Sequence, residues 1–208
     1  MRQVLTRERI VHAAVALIER HGAEALSMRA VAAELGVAVM SLYNHVPNKA
    51  ALMEGVAEYV VAGLDTVPSG TGDWREESRA LVRAFRAAAQ VYPQAIRVVL
   101  THSIDTSAAS RLAERALALA AEAGFEGATA VRIVHALMAY AVGSQLQALW
   151  LGQLIDRVSE EPRLMRVDPA QFPHVVASAS ALLAHDPEAD FEFGLDLLVT
   201  AIDALPRK

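Results

Sequence analysis

Apolar residues recur along this chain at spacings of three and four rather than two, which is the period of helices with one buried face. Ile10, Ala14, Leu17 and Ile18 mark the inner stripe of a first helix. Thr6 is placed as its N-cap, Leu5 and Ile10 as a hydrophobic staple, and Gly22 as its stop. Ser27 repeats the start signal, with Leu26 and Val31 as the second staple, and this helix ends near Gly36. Gly36-Val37 leads into a short helix over 38–45, ended by Val46-Pro47, and Asn48 caps a longer helix reaching about residue 65. The turn-rich Pro68-Ser69-Gly70-Thr71-Gly72 then joins two helical blocks. Asp73 opens a helix to about Gln90, a short piece follows over 93–100, and another helix spans 107–123 with Gly124 at its close. Residues 159–168 read as a charged loop. Asp168-Pro169 and Asp186-Pro187 each set an N-cap residue before a proline at the first helical position, so each is expected to open a helix. No stretch alternates apolar and polar positions, so the expected class is all-α.

Residues 133–155 form a run of 23 positions without a formal charge. An apolar stretch longer than about 18 residues is the usual signal of a membrane span. This one carries His135, Ser144, Gln145, Gln147 and Gln153, a heavy polar load for a helix facing lipid. A helix apolar nearly all round is otherwise buried on both sides. Ala136, Ala139 and Gly143 form a stripe of small residues that suits close approach of another helix. The run therefore reads as a core helix shared between an internal pocket and a dimer interface; the alternative is the central helix of a monomeric bundle.

Composition narrows the function classes. The 208 residues are 54% hydrophobic and 5% aromatic, include 41 alanines, and contain no cysteine, which removes disulfides, thiolate metal sites and thiol catalysis. The start, Met1-Arg2-Gln3-Val4-Leu5-Thr6-Arg7, has no apolar core of a secretory leader, so a cytoplasmic location is expected. A formal net charge of −5 argues at first against a nucleic-acid partner. Its distribution changes the picture. Residues 1–50 carry six basic and four acidic side chains, net +2, and the remainder thirteen and twenty, net −7. A mildly basic head on an acidic body points to different partners for the two segments.

The helix pair over 27–45 carries the functional signal. A helix-turn-helix needs a small residue where the helices touch, glycine at the turn and apolar anchors beyond it. Ala32, Gly36, Val37 and Leu42 meet those needs in order. With Leu42 turned inward, Met40 and Asn44 lie opposite it, flanked by Ser41 and Tyr43, so these four form the expected recognition face.

This region resembles the DNA-binding domain of TetR-family transcriptional regulators over residues 5–60. The likeness rests on Gly36-Val37 followed by Ser41-Leu42-Tyr43-Asn44-His45-Val46 and Asn48-Lys49-Ala50-Ala51-Leu52. The C-terminal part resembles the effector domain of the tetracycline-repressor branch, through Asp186-Pro187-Glu188 and Phe191-Glu192-Phe193-Gly194-Leu195-Asp196-Leu197-Leu198. The resemblance implies a homodimer of nine or ten helices per subunit. Each head, a three-helix unit over 1–66, would read half of a palindromic double-stranded DNA operator. A larger helical bundle over 67–208 would bind a small-molecule effector and hold the dimer together. Ser27 and Arg29, at the start of the second helix, are then expected at phosphates, where unpaired N–H groups favour anions, with Met28 between them in the DNA-binding set. Tyr43 and His45 can hydrogen-bond the DNA backbone, and Lys49 adds charge. Asn44 can read an adenine edge. Val39 and Met40 depart from the branch, which has polar or proline residues there; both can meet thymine methyls, or pack against neighbouring helices. Tyr43 as a half-buried aromatic and Arg29 as a solvated helix residue are the plainer alternatives.

The effector pocket is expected to draw on Phe85, His102, His135, Met138, Gln145 and Trp150. His135, Met138, Val142, Gln145 and Leu149 share one helical stripe, a pattern more common in a core or dimer seam than in a ligand site, and a lone histidine such as His102 is more often structural. The tetracycline repressor binds a magnesium–drug chelate, but the resemblance carries none of that site's residues over to this sequence, so neither tetracycline nor a metal or other cofactor is implied. The rival class is an all-α enzyme or a sensor without DNA binding. No Glu or Asp has His three residues later, and His-Glu-x-x-His, glycine-rich phosphate loops and Gly-x-Ser-x-Gly are absent. The expected function is a ligand-responsive, DNA-binding repressor and not an enzyme.

Overall fold

The structure is a computed structural model that describes residues 4–65, 72–101, 107–160, 168–184 and 186–207. The described residues contain eleven α-helices and no strand, in keeping with the all-α expectation. The head comprises α1 (Arg7–His21), α2 (Met28–Leu35), α3 (Val39–Tyr43) and the start of α4 (Lys49–Asp65). The body comprises α5 (Trp74–Val91), α6 (Pro93–Thr101), α7 (Ser107–Glu122), α8 (Gly127–Glu160), α9 (Pro173–Ala177), α10 (Ala179–Leu183) and α11 (Pro187–Asp203). No described helix is long and apolar enough to cross a membrane.

The head is set by local signals. Thr6 accepts the Arg9 N–H at 3.2 Å and Ser27 accepts the Ala30 N–H at 3.1 Å, so both expected N-caps form. Gly36 adopts the left-handed conformation at φ 65, which lets its N–H and that of Val37 close on the carbonyls of Ala33 and Ala32. Asn48 caps α4 through the Ala51 N–H at 2.8 Å. Ile10, Ile18, Leu26, Val31, Leu42, Val46, Leu52 and Val56 fill one core between these helices. α1 and α4 approach so closely that a Cβ on Gly55 would lie 2.6 Å from Val11 Cγ2.

In the body, α8 runs against α5, α7 and α11. It extends over 34 residues, starting six positions before the charge-free run and continuing into the segment expected to be a charged loop. Tyr140 of α8 stacks on Phe191 of α11 with ring centroids 5.7 Å apart, and its hydroxyl donates to the Phe191 carbonyl at 2.6 Å. Four arginines on one face of α5 pair with four acids on α11: Arg75 with Asp203 (2.8 Å), Arg79 with Asp196 (2.6 Å), Arg83 with Glu192 (2.7 Å) and Arg86 with Glu188 (3.1 Å). Asp186 opens α11 as expected, accepting the N–H groups of Glu188 and Ala189 at 3.0 Å. Asp168-Pro169 does not open a helix directly. Asp168 instead closes a turn, accepting the Ala170 N–H at 2.9 Å, and α9 starts at Pro173. The short α9 and α10 carry no buried residue.

Candidate nucleic-acid interface and effector cavity

Five residues make up α3, so its orientation depends on what anchors it. Leu42 is fully buried, and the carbonyl of Leu42 accepts the N–H groups of His45 and Val46, which ends the helix. Turning Leu42 inward turns Met40, 73% exposed, and Tyr43, 42% exposed, outward. Ser41 and Val39 lie half-buried at the flanks, and Asn44, the C-cap, and His45 are exposed. Lys49, at the first position of α4, and Arg29, in the first turn of α2, are both exposed. Among the described residues neither forms an ion pair, whereas Arg7 and Arg20 are held by Glu58 and Glu34. Ser27 is exposed, and its hydroxyl oxygen accepts the Ala30 N–H in capping α2. Met28 departs from the expected face. Its side chain is 8% exposed and packs in the head core, leaving only backbone for a partner. The remaining members of the expected set are exposed or half-buried at the start of α2, on α3, in the turn after α3 and at the start of α4.

Head and body meet through α1, α4 and α6. Glu19 of α1 accepts the N–H groups of Gln94 and Ala95 at the start of α6. Nearby, Tyr59 of α4 stands edge-on to both His12 and Tyr92, each at 5.7 Å between ring centroids.

Behind this junction lies a cavity of about 390 Å³ walled by α4, α5, α6, α7 and α8. Phe85, His135 and Met138, three of the expected pocket residues, line it. Gln145 and Trp150 do not; they lie farther along α8, and Trp150 is 60% exposed. His102 lies outside the described residues. Sequence reasoning missed Trp74 and Phe125, which meet edge-to-face at 6.0 Å in the cavity wall. Their only signal was position, each at the edge of a helix beside a cap or turn, and that does not separate cavity wall from core.

The face of α8 away from the cavity presents Ala136, Ala139, Gly143, Leu146, Leu149 and Trp150 to the outside. Phe193 and Leu197 on α11 are likewise exposed, at 69% and 58%. One helix thus has a cavity-lining side, with Ile133, Leu137 and Ala141, and an apolar side left exposed among the described residues.

Residues 10–56 match the family described as "Bacterial regulatory proteins, tetR family", and residues 68–205 match "Tetracyclin repressor-like, C-terminal domain". The HTH-type transcriptional repressor DrrR1 of Streptomyces coeruleorubidus is 30% identical over 97% of this chain and 78% of its own length. The tetracycline repressor protein class A from transposon 1721 of Escherichia coli is 31% identical, over 93% of this chain and 88% of its own. Among solved structures, the transcriptional regulator SCO7222 from Streptomyces coelicolor superposes with a TM-score of 0.80 at 29% identity, covering 98% of this chain and all of that one.

Proposed function

Because the chain belongs to the TetR family, and is a ligand-responsive, DNA-binding transcriptional regulator, we propose that it acts as a homodimeric repressor released from a palindromic operator by a small molecule. The observation that carries this reading is the outward set Met40, Tyr43 and Asn44 on and just after a helix pinned by Leu42, with exposed cations on the preceding and following helices, Arg29 on α2 and Lys49 on α4. Such an arrangement suits a major groove between two phosphate backbones. Arg29, Tyr43, His45 and Lys49 bind backbone, Ser27 and Met28 offer the helix start, and Asn44 with Met40, Ser41 and Val39 faces base edges.

The division of labour follows the chain: residues 1–66 for DNA, 67–208 for effector and dimer. The exposed apolar faces of α8 and α11 are the dimer surface, since side chains such as Leu146, Trp150, Phe193 and Leu197 lose water contact on pairing. The repressor works in the cytoplasm, where its operator is. The acidic body repels DNA and orients each +2 head toward the groove, and two heads acting together compensate for the modest charge of one.

Selection of bound duplexes from a random pool tests the reading. A palindromic consensus, with two half-sites about one helical turn or a multiple apart, is expected. Recovery of no sequence above the starting pool would overturn it.

A further inference from the structure

The cavity wall is chemically one-sided. Among the described lining residues, hydrogen-bonding side chains are confined to Ser78, His135 and the indole of Trp74; no carboxylate, amide, guanidinium or ammonium is present. The arginines of α5 are directed elsewhere. Arg75, Arg79, Arg83 and Arg86 leave α5 on the side facing α11, where each holds an acid, while Ser78, Leu81, Val82 and Phe85 face the cavity. Residues 133–155 of α8 carry no charge at all, so the same stretch of a second copy could bring none either.

An ion against such a wall would give up much of its hydration and meet no opposite formal charge among the described lining residues, which binding tolerates poorly. Magnesium is a hard cation that takes oxygen ligands in octahedral array. The described lining supplies one imidazole and one aliphatic hydroxyl, and among the described residues no group of three potential metal-ligating side chains comes together. The donor set of the described residues therefore does not fit the magnesium–drug chelate of the tetracycline-repressor branch. A volume of about 390 Å³ does fall within the range of sites for organic ligands.

We propose that the effector is an uncharged, largely apolar organic molecule, bound without a metal ion and oriented by Ser78 and His135. This rests on the reading of the cavity as the effector site. Trp74 in the wall provides a reporter, because its emission transfers energy to naphthylamine probes. The full chain is titrated with uncharged N-phenyl-1-naphthylamine, with its sulfonated relative 1-anilinonaphthalene-8-sulfonate, and with tetracycline in the presence and absence of magnesium.

The uncharged probe is expected to quench tryptophan emission saturably and to bind at least tenfold more tightly than the sulfonate. Ala116→Phe, which fills the cavity from α7, should abolish that binding while the circular dichroism melt remains cooperative. Ala113→Phe serves the same purpose if Ala116→Phe does not fold. Equal or tighter binding of the sulfonate, or magnesium-dependent binding of tetracycline, would overturn the ligand class and leave the cavity as the effector site. Failure of every probe to bind would overturn both the ligand class and the cavity's role, while the operator selection still judges the head.

Discussion

Glu19 in the head and Ala95 in the body are joined directly, Glu19 Oε1 accepting the Ala95 backbone N–H at 2.8 Å. The other carboxylate oxygen accepts the Gln94 N–H at 3.3 Å. α6 begins with Pro93, which has no N–H, so Gln94 and Ala95 are its first donors in need of a partner. A carboxylate from a different helix takes the place of an N-cap, and the positive end of the helix dipole favours its charge. Ile96, Val99 and Leu100 of the same helix line the cavity, so the cavity wall and the head share this tie.

Glu19→Ala should therefore destabilise the fold by about 1.5–3 kcal/mol, the range for hydrogen bonds to a charged group. Glu19→Gln, which keeps one acceptor oxygen, should lose less. Chemical denaturation read by circular dichroism measures both, and an unchanged midpoint for Glu19→Ala would contradict the capping role.

On the DNA face, Tyr43→Ala or Lys49→Ala should weaken operator binding without changing the oligomeric state, because both residues are exposed on the head. Loss of the Lys49 phosphate contact should also reduce the salt dependence of log K by about one unit of slope. Unchanged gel-shift affinity in both variants would count against this surface.

Phe193→Glu together with Leu197→Glu should yield monomers in sedimentation equilibrium, since both side chains are largely exposed on α11. The subunit's melting temperature should shift little beyond what loss of the dimer imposes. A dimer that survives both substitutions at micromolar concentration places the interface elsewhere.

Gly194→Ala tests how closely α8 and α11 approach. Alanine gains about 1 kcal/mol in helix propensity, but its Cβ would lie 2.5 Å from the Tyr140 hydroxyl and 2.9 Å from the ring. Tyr140 is held by its bond to the Phe191 carbonyl, so overpacking of about 1–3 kcal/mol should win and lower the thermal midpoint. In Tyr140→Ala the same change should become neutral or stabilising.

The α5–α11 ion pairs predict an acid-sensitive seam. The Arg83 guanidinium holds the Glu192 carboxyl below its ordinary value, and Arg75 followed by Arg207 does the same for Asp203. Folded chains then bind these protons less readily than unfolded ones. The stabilisation is complete above the ordinary carboxylate range, about 4, and disappears as pH falls through the lowered folded-state values. Melts from pH 7 to pH 3 should show a smaller acid-induced drop for Glu192→Gln with Asp203→Asn than for the unaltered chain.

Much of the head was legible residue by residue. Thr6, Ser27, Gly36 and Leu42 act within a few positions of themselves, through caps, a left-handed turn and one inward anchor, so their roles follow from local chemistry. The same locality made Asp186-Pro187 readable. Asp168-Pro169 carries the same signal but forms a turn, and its surroundings explain the difference: α9 and α10 bury no side chain, so nothing rewards extending a helix backward to residue 169. Met28 shows the limit on the DNA face, because which side of α2 meets the core depends on where α1 and α4 lie.

The body was legible only as helices. Periodicity marks an apolar face but not whether that face meets side chains or empty space, so Phe85, His135 and Met138 could be grouped with Gln145 and Trp150, while Trp74 and Phe125 passed unnoticed. The pairing of Arg75, Arg79, Arg83 and Arg86 with acids more than a hundred positions away was invisible for the same reason. Helix boundaries near caps, the inward and outward sides of α3 and the all-α class follow from the residues in order, since these depend on interactions within a turn or two of the chain. Only the tertiary structure decided which side of α8 lines the cavity, which charges are neutralised on α11 and which apolar faces remain open, because each depends on helices brought together from distant parts of the chain.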